Sequence, residues 1–179
     1  MPAKTYLQQV GGRLKQIAAT VVSTGSANGG DIVGLGDDGK LHQSLLPDGF
    51  APATWTGIAS ETIAAGRLVN IWSDTSGGTP VAKARLADAS AAGKRAWGYT
   101  QQGAASGGTV TVWFGGANSS VSGLTAGADV FLSASTPGGV TSTAPTGASQ
   151  VVQRVGVAGS ATAFMFAAGL EIELAPAAA

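Results

Sequence analysis

Apolar residues in this chain come in short runs separated by clusters of Gly, Pro, Ser and Asp. The runs are "RLVNIWS", "TPVAKAR", "AWGYTQ", "GTVTVWF", "ADVFLSA", "GGVTSTA", "QVVQRVGVA" and "ATAFMFA". They are rich in β-branched and aromatic residues and too short for helices, so they read as strands. Val110, Val112 and Phe114 alternate with Thr109, Thr111 and Trp113, the period of an antiparallel strand with unlike faces. Near the end, Glu171 and Glu173 alternate with Ile172 and Leu174, which predicts a last strand with its carboxylates on the wet face. "RLADASAAGKRA" has the composition of a helical turn ended by Gly93, but at this length it reads as a loop. The pattern predicts an all-β protein with a compact antiparallel β-barrel or sandwich-like domain.

The runs also repeat. "AGRLVNIWSDTSGG" matches "AGADVFLSASTPGG" at a shift of 61 residues, Gly66 to Gly127. Val69 meets Val130, Ile71 meets Leu132, and Gly77-Gly78 meets Gly138-Gly139. Each copy continues through a second strand (Val81; Val140), an Arg-x-(x)-Gly strand ("RAWGY"; "RVGV") and an apolar strand ("VTVWF"; "AFMFA"). Two unrelated hairpins with Gly-Gly turns would look alike, but the length of the match favours an internal duplication. We read it as a four-strand unit used twice and closing into one barrel, which would also remove exposed sheet edges. Val69, Ile71, Val130 and Leu132 then point into one core. Asn70 and Phe131 face the other way, Phe131 needing cover from a subunit neighbour.

Composition divides the chain. Residues 1–50 carry eight charges (Lys4, Arg13, Lys15, Asp31, Asp37, Asp38, Lys40, Asp48) and turn-rich segments such as "GSANGGD". Residues 51–114 hold all four tryptophans, and residues 115–179 only Asp129, Arg154, Glu171 and Glu173 as charges. We therefore expect an extended N-terminal arm and linker over 1–50, a β-rich domain over 51–174 and a frayed tail over 175–179. With few large apolar residues, the arm alone cannot offset its ordering entropy.

Composition also excludes. Charged residues are 11% of the chain, and ten bases against ten acids leave no basic field for nucleic acid. Without cysteine there is no disulfide, thiolate catalysis or Cys-type zinc site, and one histidine cannot make a His pair. No cofactor is expected. "MPAKTYLQQVGGRLKQ" lacks the apolar run of a signal peptide, and no stretch approaches 18 apolar residues, so the chain reads as soluble when made in a cytoplasm, with no membrane partner.

The remaining motifs resolve into structure rather than chemistry. "GLGDDG" matches G-x-G-x-x-G, yet Asp37 and Asp38 would repel phosphate and Pro47 cuts short any following helix. A calcium loop needs alternating oxygen ligands, and these acids are adjacent. The stretch reads as a tight turn. His42 has no catalytic companion and reads as a solvated or interface histidine. Glu171 and Glu173 are not a glycosidase pair, and no G-x-S-x-G elbow occurs. "NSS" at Asn118 reads first as a loop. Trp55, Trp72, Trp97 and Trp113 could line a sugar cleft, but across four strand segments they favour packing. The chain reads as not an enzyme.

The segment "IVGLGDDGKLHQSLLPDGF" resembles one recurring in virion proteins of tailed bacteriophages, where Gly-Lys-Leu and Leu-Leu-Pro join an attachment segment to a β domain. "AAGRLVNIWSD", "ADASAAGKRAWGY", "VSGLTAGADVFLSASTPGGVTSTAP" and "VVQRVGVAGSATAFMF" are similar to the β domain of phage head-decoration (head-fibre or cement) proteins. The resemblance spans nearly the whole chain, strongest from Ser122 to Val157; Gly36 and His42 depart from it. It implies a structural virion protein on the capsid exterior, bound through its arm to the major capsid protein, and a homotrimer. Tyr6, Leu7, Leu14, Ile17, Leu45, Leu46, Pro47 and Phe131 become the expected capsid or subunit interface. Similar modules occur on tails, so the alternative is a tail-fibre or baseplate adhesin binding a host-surface glycan.

Overall fold

The structure, a computed structural model, describes residues 5–47 and 52–177; expectations for residues 1–4, 48–51 and 178–179 fall outside it. It is all-β, with two single 3-10 turns at Ser26–Asn28 and Gln43–Leu45. The described residues group into two compact units, 5–47 and 52–177.

The first unit opens with a hairpin, β1 (Thr5–Val10) and β2 (Arg13–Ala18). Gly11 and Gly12 connect them with φ of 60° and 76°, the left-handed pair that a two-residue hairpin loop requires. Further on, Thr20 forms a parallel bridge with Val33, and its hydroxyl donates to Asp31 at 2.6 Å. The Ser23 amide donates to Ser44 Oγ, tying the segment to the second 3-10 turn. Of the described residues here only Gly34 is buried. The first unit thus contains a hairpin that the sequence reading did not foresee, and no apolar side chain among its described residues is buried.

The second unit holds two sheets. β3 (Thr54–Ala59), β4 (Leu68–Asp74), β5 (Val81–Leu86), β6 (Gly98–Thr100) and β7 (Thr109–Trp113) form a closed barrel in the order β3-β5-β4-β6-β7. β8 (Gly116–Asn118), β9 (Asp129–Leu132), β10 (Val140–Thr141), β11 (Val151–Ala158) and β12 (Phe164–Phe166) form a curled, open sheet in the order β10-β9-β11-β12-β8. β13 (Glu171–Glu173) adds to the other end of β11.

Moving each barrel strand five places along the chain reproduces the order of the open sheet, so the echo is a structural repeat of five strands. The hydrogen bonds repeat with it. Gly66 N–H donates to Thr100 O and Gly127 N–H to Ala158 O; Thr100 N–H donates to Arg67 O and Ala158 N–H to Ala128 O. Gly66 and Gly127 share φ near 76° and 79°. Gly98 and Gly156 lie against the backbone carbonyls of Trp113 and Met165, where a Cβ would collide. Trp113 and Met165 are themselves counterparts, opposite Tyr99 and Val157.

The expectation of one shared barrel is corrected. Val69 lies in the barrel core with Ala59, Ile63, Ala84, Val110 and Val112. Val130 and Leu132 lie in a second core with Val151, Val155, Phe164 and Phe166. Leu68 and Tyr99, facing outward from the barrel, complete that second core. The first copy lines the base of the gap left in the second: Leu68 N–H donates to Gly138 O, and Asn118 Nδ2 donates to Gly66 O. Ile71 is only half-buried. Val140 faces Leu132, the counterpart of Ile71, whose own partner is Ala84; Val140 therefore stands where Ala84 does, not where Val81 does.

Three smaller expectations also change. Asn70 is buried rather than solvated, donating to Arg95 O at 2.8 Å and accepting from Arg85 Nε at 2.9 Å. On β13 the first two positions are inverted: Ile172 is 59% exposed, while Glu171 is half-buried and accepts from Gly93 N–H; Glu173 is exposed and Leu174 half-buried, as expected. Asn118 ends strand β8 and is buried, not a loop residue. In the tail, Ala175 O accepts from Ser149 N–H.

Candidate functional site

The acid-rich motif closes on itself. Gly36 N–H donates to Lys40 O, Gly39 N–H to Gly36 O and Lys40 N–H to Asp38 Oδ1, with Gly39 at φ 75°. These three amides are spent within a tight turn. His42 is exposed and accepts the Ser44 N–H at Nδ1, capping the short turn that carries Leu45. The hydroxyl of Thr20 and the amide of Asn28 lower the pKa of Asp31. Among the described residues no three of His, Asp and Glu converge to hold a metal ion.

The expected interface residues fall on different surfaces. Pairing of Tyr6 with Ile17 and of Gln9 with Leu14 puts Tyr6, Val10, Ile17, Arg13 and Lys15 on one hairpin face. Leu7 and Leu14 share the other face, 69% and 73% exposed. Leu45 is half-buried, while Leu46 and Pro47 are exposed. Phe131 belongs to the second unit, half-buried on the outer side of β9 between Arg154 and Thr141. Next to it the Arg154 Nε to Asp129 Oδ1 ion pair spans 2.6 Å.

The tryptophans have separate partners. Trp55 folds over Gly57, where any Cβ would collide with its indole. Arg85 stacks on Trp72 at 5.0 Å, and Trp113 packs against the second core. Trp97 is the most open at 42%, with Arg95 over its ring at 3.7 Å. That cation covers one face of the indole.

The sequence reading missed one feature, a cleft at the open side of the second sheet. Ser120–Ser122 form one wall, Thr136 and Gly138–Val140 the other, and Ala64–Arg67 the floor. Its signal was present in the echo, because these walls are the counterparts of the strands that seal the barrel. No protein-family model, curated protein or solved structure matches this chain.

Proposed function

We propose that this is a structural protein of a tailed-phage virion that decorates or stabilises the capsid exterior, held to the major capsid protein through its N-terminal unit. The observation that carries the reading is the β1–β2 hairpin, with apolar residues on both faces and Leu7 and Leu14 largely in water. A lone two-stranded hairpin is marginal in water, so this one is built to be completed by a partner. The second unit has its own cores and serves as the body displayed. The reading assigns the protein no catalysis and a homotrimeric state, with Phe131 under a neighbouring subunit.

Gold-labelled antibody against the second unit, applied to intact virions, tests the placement. Label over the head shell is expected; label confined to the tail overturns the reading in favour of an adhesin. Deleting residues 1–46 should abolish binding to particles while the second unit still melts cooperatively. Light scattering of the free protein should give three times the chain mass of 17.5 kDa.

A further inference from the structure

The repeat shows where the second sheet lacks a seam. In the barrel, β3 and β5 close in parallel, Ile58 opposite Lys83 and Ala59 opposite Ala84, and Ser60 N–H donates to Ala84 O at 2.8 Å. The register places Trp55 opposite Val112 and Asn118 opposite Phe164, so Ile58, Ala59 and Ser60 correspond to Val121, Ser122 and Gly123. Lys83 and Ala84 correspond to Gly139 and Val140. Among the described residues no backbone bond joins these counterparts; they face each other across the cleft.

We propose that this open seam is a strand-accepting site, which binds an extended peptide segment bearing a carboxylate. An extended backbone is the matching ligand because β8 pairs only with β12 and β10 only with β9, and at the entry to β10 the first copy engages the backbone of Gly138 alone, through Leu68 N–H and Ala87 O, among the described residues. Neither the amide nor the carbonyl of Ser122 has a hydrogen-bond partner among the described residues. The carboxylate is assigned from Arg67 on the floor, half-buried, whose guanidinium has no ion-pair or hydrogen-bond partner among the described residues. A guanidinium fork takes a carboxylate in two parallel bonds. The cleft holds about 340 Å³, at the small end of ligand sites, and its Ser and Thr hydroxyls suit small or polar side chains. Gly66 and Gly138 let the copies pack closely at its base: a Cβ on Gly66 would strike Ser120, and one on Gly138 would lie 2.7 Å from Leu86. This site is independent of where the protein sits on a virion.

A displayed random heptapeptide library, selected on the full chain and counter-selected on Ser122→Trp, tests the proposal. The exposed Ser122 position lets the indole fill the cleft without entering a core. Enriched peptides should contain Asp or Glu and protect the Ser122 and Val140 amides from hydrogen exchange. They should also bind Arg67→Gln at least tenfold more weakly, with Arg67→Lys between the two. No enrichment over Ser122→Trp, or peptides indifferent to both Arg67 variants, overturns it. If Arg67→Gln melts early, Arg67→Lys and the exchange pattern decide.

Discussion

Gln153 holds Ala96 as a neighbouring strand would. Ala96 N–H donates to Gln153 Oε1 at 2.7 Å, and Gln153 Nε2 donates back to Ala96 O at 3.0 Å. Both residues are almost fully buried, 57 positions apart, and the pair joins the loop before β6 to the long strand of the second sheet. Gln153→Leu keeps the volume but strands two buried backbone groups. It should cost about 2–4 kcal/mol in denaturant unfolding. A variant within 0.5 kcal/mol of the parent would show that water replaces the amide.

Gly98 and Gly156 answer the same steric demand in the two copies. Gly98→Ala and Gly156→Ala should each destabilise by about 2–3 kcal/mol or more, because the clash is with backbone. Gly77 has open space around it, and Gly77→Ala should be neutral or gain about 0.4–1 kcal/mol. Thermal melts of the three variants check the contrast.

Leu132 and Ile71 are counterparts with unequal burial. Leu132→Ala should cost about 2–5 kcal/mol through lost burial and a cavity. Ile71→Ala should cost roughly half as much, in proportion to the area already in water. Asn70→Ala should cost about 1–3 kcal/mol by unpairing Arg85 and the Arg95 carbonyl. Urea titrations would rank them, and equal losses at Ile71 and Leu132 would contradict the burial.

Acid should weaken the β4–β5 hairpin. Lys83 Nζ lies 2.6 Å from Asp74 Oδ2, and that bond, with the Ser76 amide, lowers the Asp74 pKa from 3.8 to about 2. A carboxylate with a depressed folded pKa contributes stability that is fully present above about pH 4. The contribution is lost as pH falls from there toward 2. Lys83→Met should flatten stability against pH in that window, and raised salt should shrink the difference.

The strands that sequence made legible are those in which packing is local to the pattern. Val110 and Val112 alternate with threonines and are buried as the period demands. β3 was not legible because "TWTGIA" carries a glycine mid-strand, and that glycine is there to receive the Trp55 ring. The hairpin β1–β2 went unread because Gln8, Gln9, Lys15 and Gln16 interrupt its apolar positions, and no core selects its faces. The repeat was visible at Gly66, Gly127, Gly98 and Gly156, where the backbone leaves no choice of residue. Its geometry was not, because whether a sheet closes depends on what lies in its gap, and Leu68 reaches there from the other copy. Asn70 and Ile172 were misplaced for the same reason: the chain that covers or uncovers them is distant in sequence. Of the expected interface, the alternation of Leu7 and Leu14 across the hairpin is visible only once its turn is located.

The closed barrel uses only residues 54–113 to complete its ring of hydrogen bonds, while the second sheet leans on Leu68 and Tyr99 to finish its core. During synthesis from the N-terminus, the ring can therefore shut before the second copy has left the ribosome. The later strands then meet a finished template, and the two similar sequences never compete for the same partners at the same moment. An arrangement with the open copy first would expose Val130, Leu132 and Phe164 while their cover was still being made. The order of the two copies along the chain thus guards against the mispairing that repeated strands invite.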